Sequence, residues 1–115
     1  MRLDPDQCRR RAGTARFAVL ATRAADGSAD LVPITFALAG GADGDRLVSA
    51  VDHKPKTSLR LARLANIERM AEVTLLFDHR DDDWDELWWV RARGPATIRP
   101  PGSATGLLAA RYPQY

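Results

Sequence analysis

The chain is poor in the residues that would point to a quick answer. Among its 115 residues there is one cysteine, Cys8, so no disulfide can form within the chain, which fits a reducing, cytoplasmic setting. There are two histidines, His53 and His79. With no Cys/His cluster beside them, both read as hydrogen-bonded or exposed side chains rather than zinc ligands. No apolar run is long enough to span a bilayer, and no charged-then-apolar leader opens the sequence. Lys plus Arg number 17 and Asp plus Glu 15. That small excess, with the two signs interleaved, gives a nucleic-acid partner little support. Gly-x-Gly-x-x-Gly and Walker patterns are missing, although Gly40, Gly41 and Gly44 lie together in one loop. The acidic stretch of Asp81, Asp82, Asp83, Asp85 and Glu86 lacks the glycine and closing glutamate of a calcium loop. Ser49, Ser58 and His53 form no nucleophilic pattern, and no catalytic residue is assigned.

What is present is the composition of one soluble domain, 45% apolar and 28% charged. Asp4 and Pro5 open a short helix over residues 1–15, with Gly13 as its stop. Arg9, Arg10 and Arg11 form a solvated face of it. Residues 16–23 read as a strand. Asp26 and Gly27 make a hairpin turn, and residues 30–39 return. Pro33 cannot donate to a ladder, so it marks an edge, a bulge or an interruption in that return strand. A third strand covers 46–51. Residues 57–70 turn helical, with Leu61, Leu64, Ile67 and Ala71 on one stripe and Thr57 or Ser58 as N-cap. A fourth strand covers 73–78 and a long fifth 87–98. Trp88 and Val90 point one way in it, and Leu87, Trp89 and Arg91 the other. Gly94 and Pro95 break or bulge that strand, and Ser103 caps a last short helix. Short strands joined by hairpins, with one interrupting helix, predict a mainly β (α+β) fold: a partly open antiparallel barrel forming a single domain over 1–115.

The corner between the third strand and the second helix has an unusual charge. A helix N-terminus carries about +0.5 of an elementary charge and attracts acidic side chains. Here it offers Lys54, Lys56 and Arg60. Two readings remain open: an anion held among those cations and the free N–H groups, or a solvated basic corner.

Several motifs resemble the pyridoxamine 5'-phosphate oxidase-like split-barrel family of flavin and deazaflavin proteins. They are Leu20, Ala21 and Thr22; Val32, Pro33, Ile34, Thr35 and Phe36; and Val51, Asp52, His53, Lys54, Pro55 and Lys56. Further on are Leu64, Ala65, Asn66 and Ile67; Leu76, Phe77, Asp78 and His79; Asp83 and Trp84; and Leu87, Trp88, Trp89, Val90 and Arg91. The resemblance spans about 15–97 and resumes at 111–115, and it is strongest to an actinobacterial branch of F420-dependent enzymes. It implies a split antiparallel β-barrel of the FMN-binding type. It also implies a homodimer with cofactor sites at the subunit interface; that neither a membrane nor a nucleic acid is a partner is expected from the charge balance and the short apolar runs. The cofactor it implies is F420, with FMN as the alternative. By resemblance, Val32, Pro33, Ile34 and Thr35 run beside the ring, partly through main-chain groups. Lys56, with Lys54, Thr57 and Arg60 at the same corner, holds the phosphate. Trp88 and Trp89 face the cofactor of the other subunit. The implied activity is hydride transfer to or from an unidentified small molecule. A cofactor or flat-ligand carrier without turnover is the alternative outside enzymology. Relatives usually continue past 111–115 into a closing strand. Barrel closure is therefore left open for a sequence that stops at Tyr115, either shortened or missing its end.

Overall fold

The computed structural model describes residues 2–40, 46–50, 58–99, 108, 111 and 112, with the main chain alone at 58–61. Helix α1 (Pro5–Thr14) starts at a capping box. The Asp4 carboxylate accepts from Gln7 N–H, and the Gln7 side chain accepts from Asp4 N–H. Gly13 lies inside the helix, which stops at Ala15 in an extended conformation. Strand β1 (Ala18–Arg23) and strand β2 (Ala29–Ile34) form a hairpin. Gly27 takes φ 90 at its tip, where a side chain would be strained. Beside it the Ser28 hydroxyl and N–H donate to Asp26 and hold that carboxyl below its ordinary range.

The return strand is divided. β2 ends at Ile34 and a short strand β3 (Ala37–Ala39) follows, paired with β4 (Arg46–Val48) in a separate two-stranded sheet. The interruption falls at Thr35 and Phe36, not at Pro33, which pairs in register with Val19. Pro33 is tolerated because β2 is an edge strand. Helix α2 (Ser58–Arg69) leads to β5 (Glu72–His79). A 3-10 turn (Trp84–Glu86) then connects to β6 (Trp88–Pro95). The main sheet is antiparallel in the order β2-β1-β5-β6. Pro95 ends β6 on the other edge, so the proline again falls where a ladder donor is not needed. Of the last helix expected from Ser103, only Leu108, Arg111 and Tyr112 lie within the described residues. No helix among the described residues is long and apolar enough to cross a membrane.

The core lies between one face of the main sheet and the elements folded onto it. Ala18 and Leu20, Ile34, Val73 and Phe77, and Val90 meet there with Ala12 and Ala15 of the α1 end. Phe36, from the break between the sheets, is fully buried edge-on to Phe77, with ring centroids 5.1 Å apart. Leu108 and Tyr112 form a second cluster with Ala37 over the smaller sheet.

Helix α2 is tied to the sheet by a polar residue that a stripe of apolar side chains does not reveal. Asn66 is buried, and its amide donates to Thr22 Oγ1 (3.0 Å) and Asp30 Oδ2 (2.7 Å). Arg69 donates to Asn66 Oδ1 and to the Arg23 carbonyl. Ala71, expected on the apolar stripe, is exposed beyond the helix end. Truncating Asn66 leaves the buried Thr22 hydroxyl without this partner and frees Asp30 and Arg69, so Asn66→Ala is expected to cost about 1–3 kcal/mol. A urea titration would show this as a lowered midpoint with unchanged slope; an unchanged midpoint would contradict it.

Candidate functional site

Alternation along the strands divides the candidate residues between two faces. Val32 and Ile34 turn inward: Ile34 is core and Val32 packs against it. Pro33 and Leu31, between and before them, turn outward and are exposed. Register carries the outward set across the sheet. Pro33 lies beside Val19, Val19 beside Leu76, and Leu76 beside Arg91. The next row runs Leu31, Ala21, Thr74, Arg93, and one row the other way sets Asp78 beside Trp89.

The two tryptophans part as their adjacency predicts. Trp88 turns inward, half-buried, and stacks on His79 at 6.3 Å, with Arg11 over its ring at 6.0 Å. Trp89 turns outward, 61% exposed, with Arg91 at 5.7 Å from its ring. Leu31 is 66% exposed and Leu76 37%. The outward face of the main sheet therefore presents Leu31, Pro33, Val19, Leu76 and Trp89 as apolar surface. Arg23, Arg91 and Arg93 border it. The main sheet thus carries apolar residues on both faces, and an exposed apolar patch of this kind marks a candidate binding surface. Sequence reasoning picked Pro33 and Trp89 but missed Leu31 and Leu76. Their signal was the unbroken apolar run in each strand, where a half-buried strand alternates with polar residues.

Thr35 stands outside both ladders, half-buried, and its carbonyl accepts from Ser49 Oγ at 2.6 Å. Lys54, Lys56 and Thr57 lie outside the described residues. So does the side chain of Arg60, whose main chain belongs to the first turn of α2. That first turn carries no acidic residue.

Two open clefts meet at the end of β5. One, of about 560 Å³, is lined by residues including Arg16, Phe17, His79, Arg80, Glu86 and Trp88. The other, of about 390 Å³, shares His79, Arg80 and Trp88 and adds Leu87 and Trp89. His79 Nε2 lies 3.5 Å from Asp81. The acidic loop beside it is occupied with its own main chain. Asp81 accepts from Asp83 N–H and Asp83 from Asp85 N–H, which caps the 3-10 turn. Among the described residues, no three His, Cys, Asp or Glu side chains group as metal ligands.

The family model described as pyridoxamine 5'-phosphate oxidase matches residues 5–115. Solved structures with similar folds include the conserved hypothetical protein Rv2991 from Mycobacterium tuberculosis. It is 21% identical with a TM-score of 0.74, and the match covers 97% of this chain and 66% of that one. HutZ, the heme storage protein from Vibrio cholerae, is 17% identical with a TM-score of 0.59, covering 99% of this chain and 75% of that one. This chain thus spans about two thirds of the length of the first of these. No curated protein matches. At such identities the likeness concerns the fold, an α+β split antiparallel barrel, as the sequence led us to expect.

The face assignment predicts opposite outcomes for neighbouring substitutions. At concentrations low enough to keep the chain monomeric, Trp89→Ala is expected to leave stability within about 0.5 kcal/mol, as for most exposed positions. Val90→Ala, one residue on, should cost about 1 kcal/mol or more through a cavity in the core. Equilibrium unfolding of the two variants checks this; equal losses would overturn the assignment.

Proposed function

The chain belongs to the pyridoxamine 5'-phosphate oxidase family, whose fold binds flavin-type cofactors, and on that premise we propose that it is an oxidoreductase dependent on coenzyme F420. It would move a hydride between that deazaflavin and a small organic molecule, as in the actinobacterial branch that its motifs resemble. The observation that carries the reading is the uncovered outward face, with Pro33 on one edge strand and exposed Trp89 on the other.

That face suits a flat, partly apolar ring. Pro33 brings a rigid apolar surface and no N–H needing a partner. Edge strand β2 has one side without a ladder in the main sheet, so its main-chain groups can meet polar ring atoms while Val32 and Ile34 stay in the core. Thr35 continues that line to the corner. Pro33 and Trp89 lie on the two edge strands, with β1 and β5 between them, a span of about 14 Å at ordinary strand spacing. One ring does not readily touch both in one chain. A second copy packed face to face brings its Trp89 toward the first copy's Pro33, and the isologous contact makes two equivalent sites. The homodimer also covers Leu31 and Leu76.

When bound, the ring supplies the hydride chemistry. The chain's own part is binding, orientation and exclusion of water. Lys56 and Lys54, with Thr57 and Arg60, would hold the phosphate at the start of α2, where no acidic side chain in the first turn opposes an anion. Trp89 would close the ring from the partner's side. FMN is the alternative cofactor, since its phosphate and ring suit the same groups. F420 has a longer anionic tail, so its binding should fall more steeply with salt.

A second reading is favoured by the cleft at the end of β5. Half-exposed His79 stands there among Trp88, Phe17, Arg16 and Arg80, a setting for a flat carboxylate-bearing ring such as haem, with His79 on the iron. Under this reading the protein is a carrier rather than an enzyme. It predicts a Soret band on haem titration that His79→Ala removes.

The leading reading is tested by titrating the purified protein with F420 and with FMN, followed by ring fluorescence. Binding of F420 in preference to FMN is expected. The double variant Lys54→Glu with Lys56→Glu should abolish it while leaving the circular dichroism spectrum unchanged. Unaltered affinity in that variant would refute the phosphate assignment.

A further inference from the structure

The geometry points to Arg111 and Tyr112 as a positioning latch: they fix the corner that ends strand β2, and through it the affinity of the ring face. The inference rests on the cofactor reading above and assigns residues that reading does not use.

The corner is the point where one strand passes from the main sheet to the smaller one. Thr35 and Phe36 belong to neither ladder, yet Phe36 is fully buried. Its main-chain groups therefore need partners that no strand among the described residues supplies. The chain's far end supplies them. Arg111 Nη1 donates to the Phe36 carbonyl at 3.1 Å, and the Tyr112 hydroxyl stands 3.5 Å from Phe36 N–H. The same two side chains reach the other side of the molecule. Arg111 Nη2 donates to the carbonyls of Gly13, at 2.9 Å, and Ala15. The Tyr112 hydroxyl donates to the Arg16 carbonyl at 2.6 Å. Arg16 in turn lies over the Tyr112 ring at 4.7 Å, and Arg111 over the Phe36 ring at 4.5 Å.

The acceptors of the Arg111 guanidinium are thus three main-chain carbonyls from two places, joined by a planar fork that no other side chain matches. The corner is clamped against the end of α1 and the approach to β1. Ser49 holds the adjoining Thr35 carbonyl from β4's side. Pro33, whose position matters for a stacked ring, is three residues before the clamped residue. Freeing the corner would loosen the end of β2 next to Pro33 and the start of β3, while the β1–β5 and β5–β6 pairings stay intact. Support of this kind, behind the groups that touch a ligand, is what gives a site its precision.

The test uses Tyr112→Phe, Arg111→Met and Arg111→Lys in the full chain, with Val73→Ala as a control that weakens the core away from the corner. Two readouts are taken. The first is amide hydrogen exchange without cofactor. The latch predicts faster exchange at Phe36 and across β3 in the Arg111 and Tyr112 variants, with β5 and β6 unchanged. The second is affinity for F420 and FMN by ring fluorescence. A loss of about tenfold is expected in those variants, the scale on which removing a supporting partner weakens a site. Val73→Ala should lower the melting temperature while leaving affinity nearly unchanged. Arg111→Lys, which keeps the charge but not the fork, should behave like Arg111→Met. Exchange that rises everywhere, or nowhere, overturns the latch. So does a corner that loosens with no change in affinity, or Val73→Ala weakening the cofactor equally. If the unaltered chain binds neither cofactor, the functional reading fails, and the exchange pattern decides the clamp by itself. If Tyr112→Phe does not fold, Arg111→Lys carries both readouts.

Discussion

A buried peptide group must find a hydrogen-bond partner, and at Thr35 and Phe36 this requirement shapes the molecule. One strand serves two sheets there, so its main chain leaves the first ladder before joining the second. Phe36 is also the side chain that fills the centre of the core, edge-on to Phe77. The Phe36 peptide is therefore too deep for water to satisfy it, while Thr35 beside it is half-buried. Ser49 comes from beside β4, and Arg111 and Tyr112 from the far end of the chain. The end of α1 is drawn in by the same two side chains. Tying the end of α1 to the corner and holding the end of the candidate ring strand are consequences of one set of bonds.

The main sheet shows how one strand pattern can serve both stability and binding. Inward residues at alternate positions build the core, and outward residues of equal hydrophobicity are left without cover. Burying apolar surface yields about 25 cal/mol per Å², so Leu31, Leu76 and Trp89 represent binding energy still to be used. Under the proposed reading, the arginines at the border of that face suit an anionic ligand. In the sequence, Lys54 and Lys56 ahead of α2 carry the same sign of charge. A phosphate-bearing ring matches both parts: apolar where it is flat and anionic where it is anchored.

Much of this was legible in the sequence because it depends on period. Alternation separated Trp88 from Trp89. The Asp26 and Gly27 turn located the first hairpin, and the apolar stripe located α2. The misplaced features depend on distance. Pro33 left an edge, a bulge or an interruption open, and the edge position is the one it takes; the break comes at Thr35, where no residue type announces it. Asn66 was quoted only as part of a family motif, because a buried amide among apolar residues looks like any polar residue until Thr22 and Asp30 are brought beside it. Arg111 and Tyr112 figured only within the resembling stretch 111–115, and their bonds were not legible, since their acceptors are main-chain carbonyls 75 to 98 residues away. The charged corner was legible as an electrostatic anomaly, and Lys54, Lys56 and Thr57 stay where the sequence left them, outside the described residues.

The central claim is that the outward face holds the cofactor ring, with Trp89 against it. The most direct measurement compares F420 and FMN affinities of Trp89→Ala and Trp84→Ala, each by ring fluorescence anisotropy. Trp84 is the more exposed of the two, 82% against 61%, and stands in the 3-10 turn rather than on the face. The account predicts that Trp89→Ala weakens binding about tenfold, equivalent to ~1.4 kcal/mol, while Trp84→Ala leaves it unchanged. Equal affinities for both variants and the parent chain would contradict it.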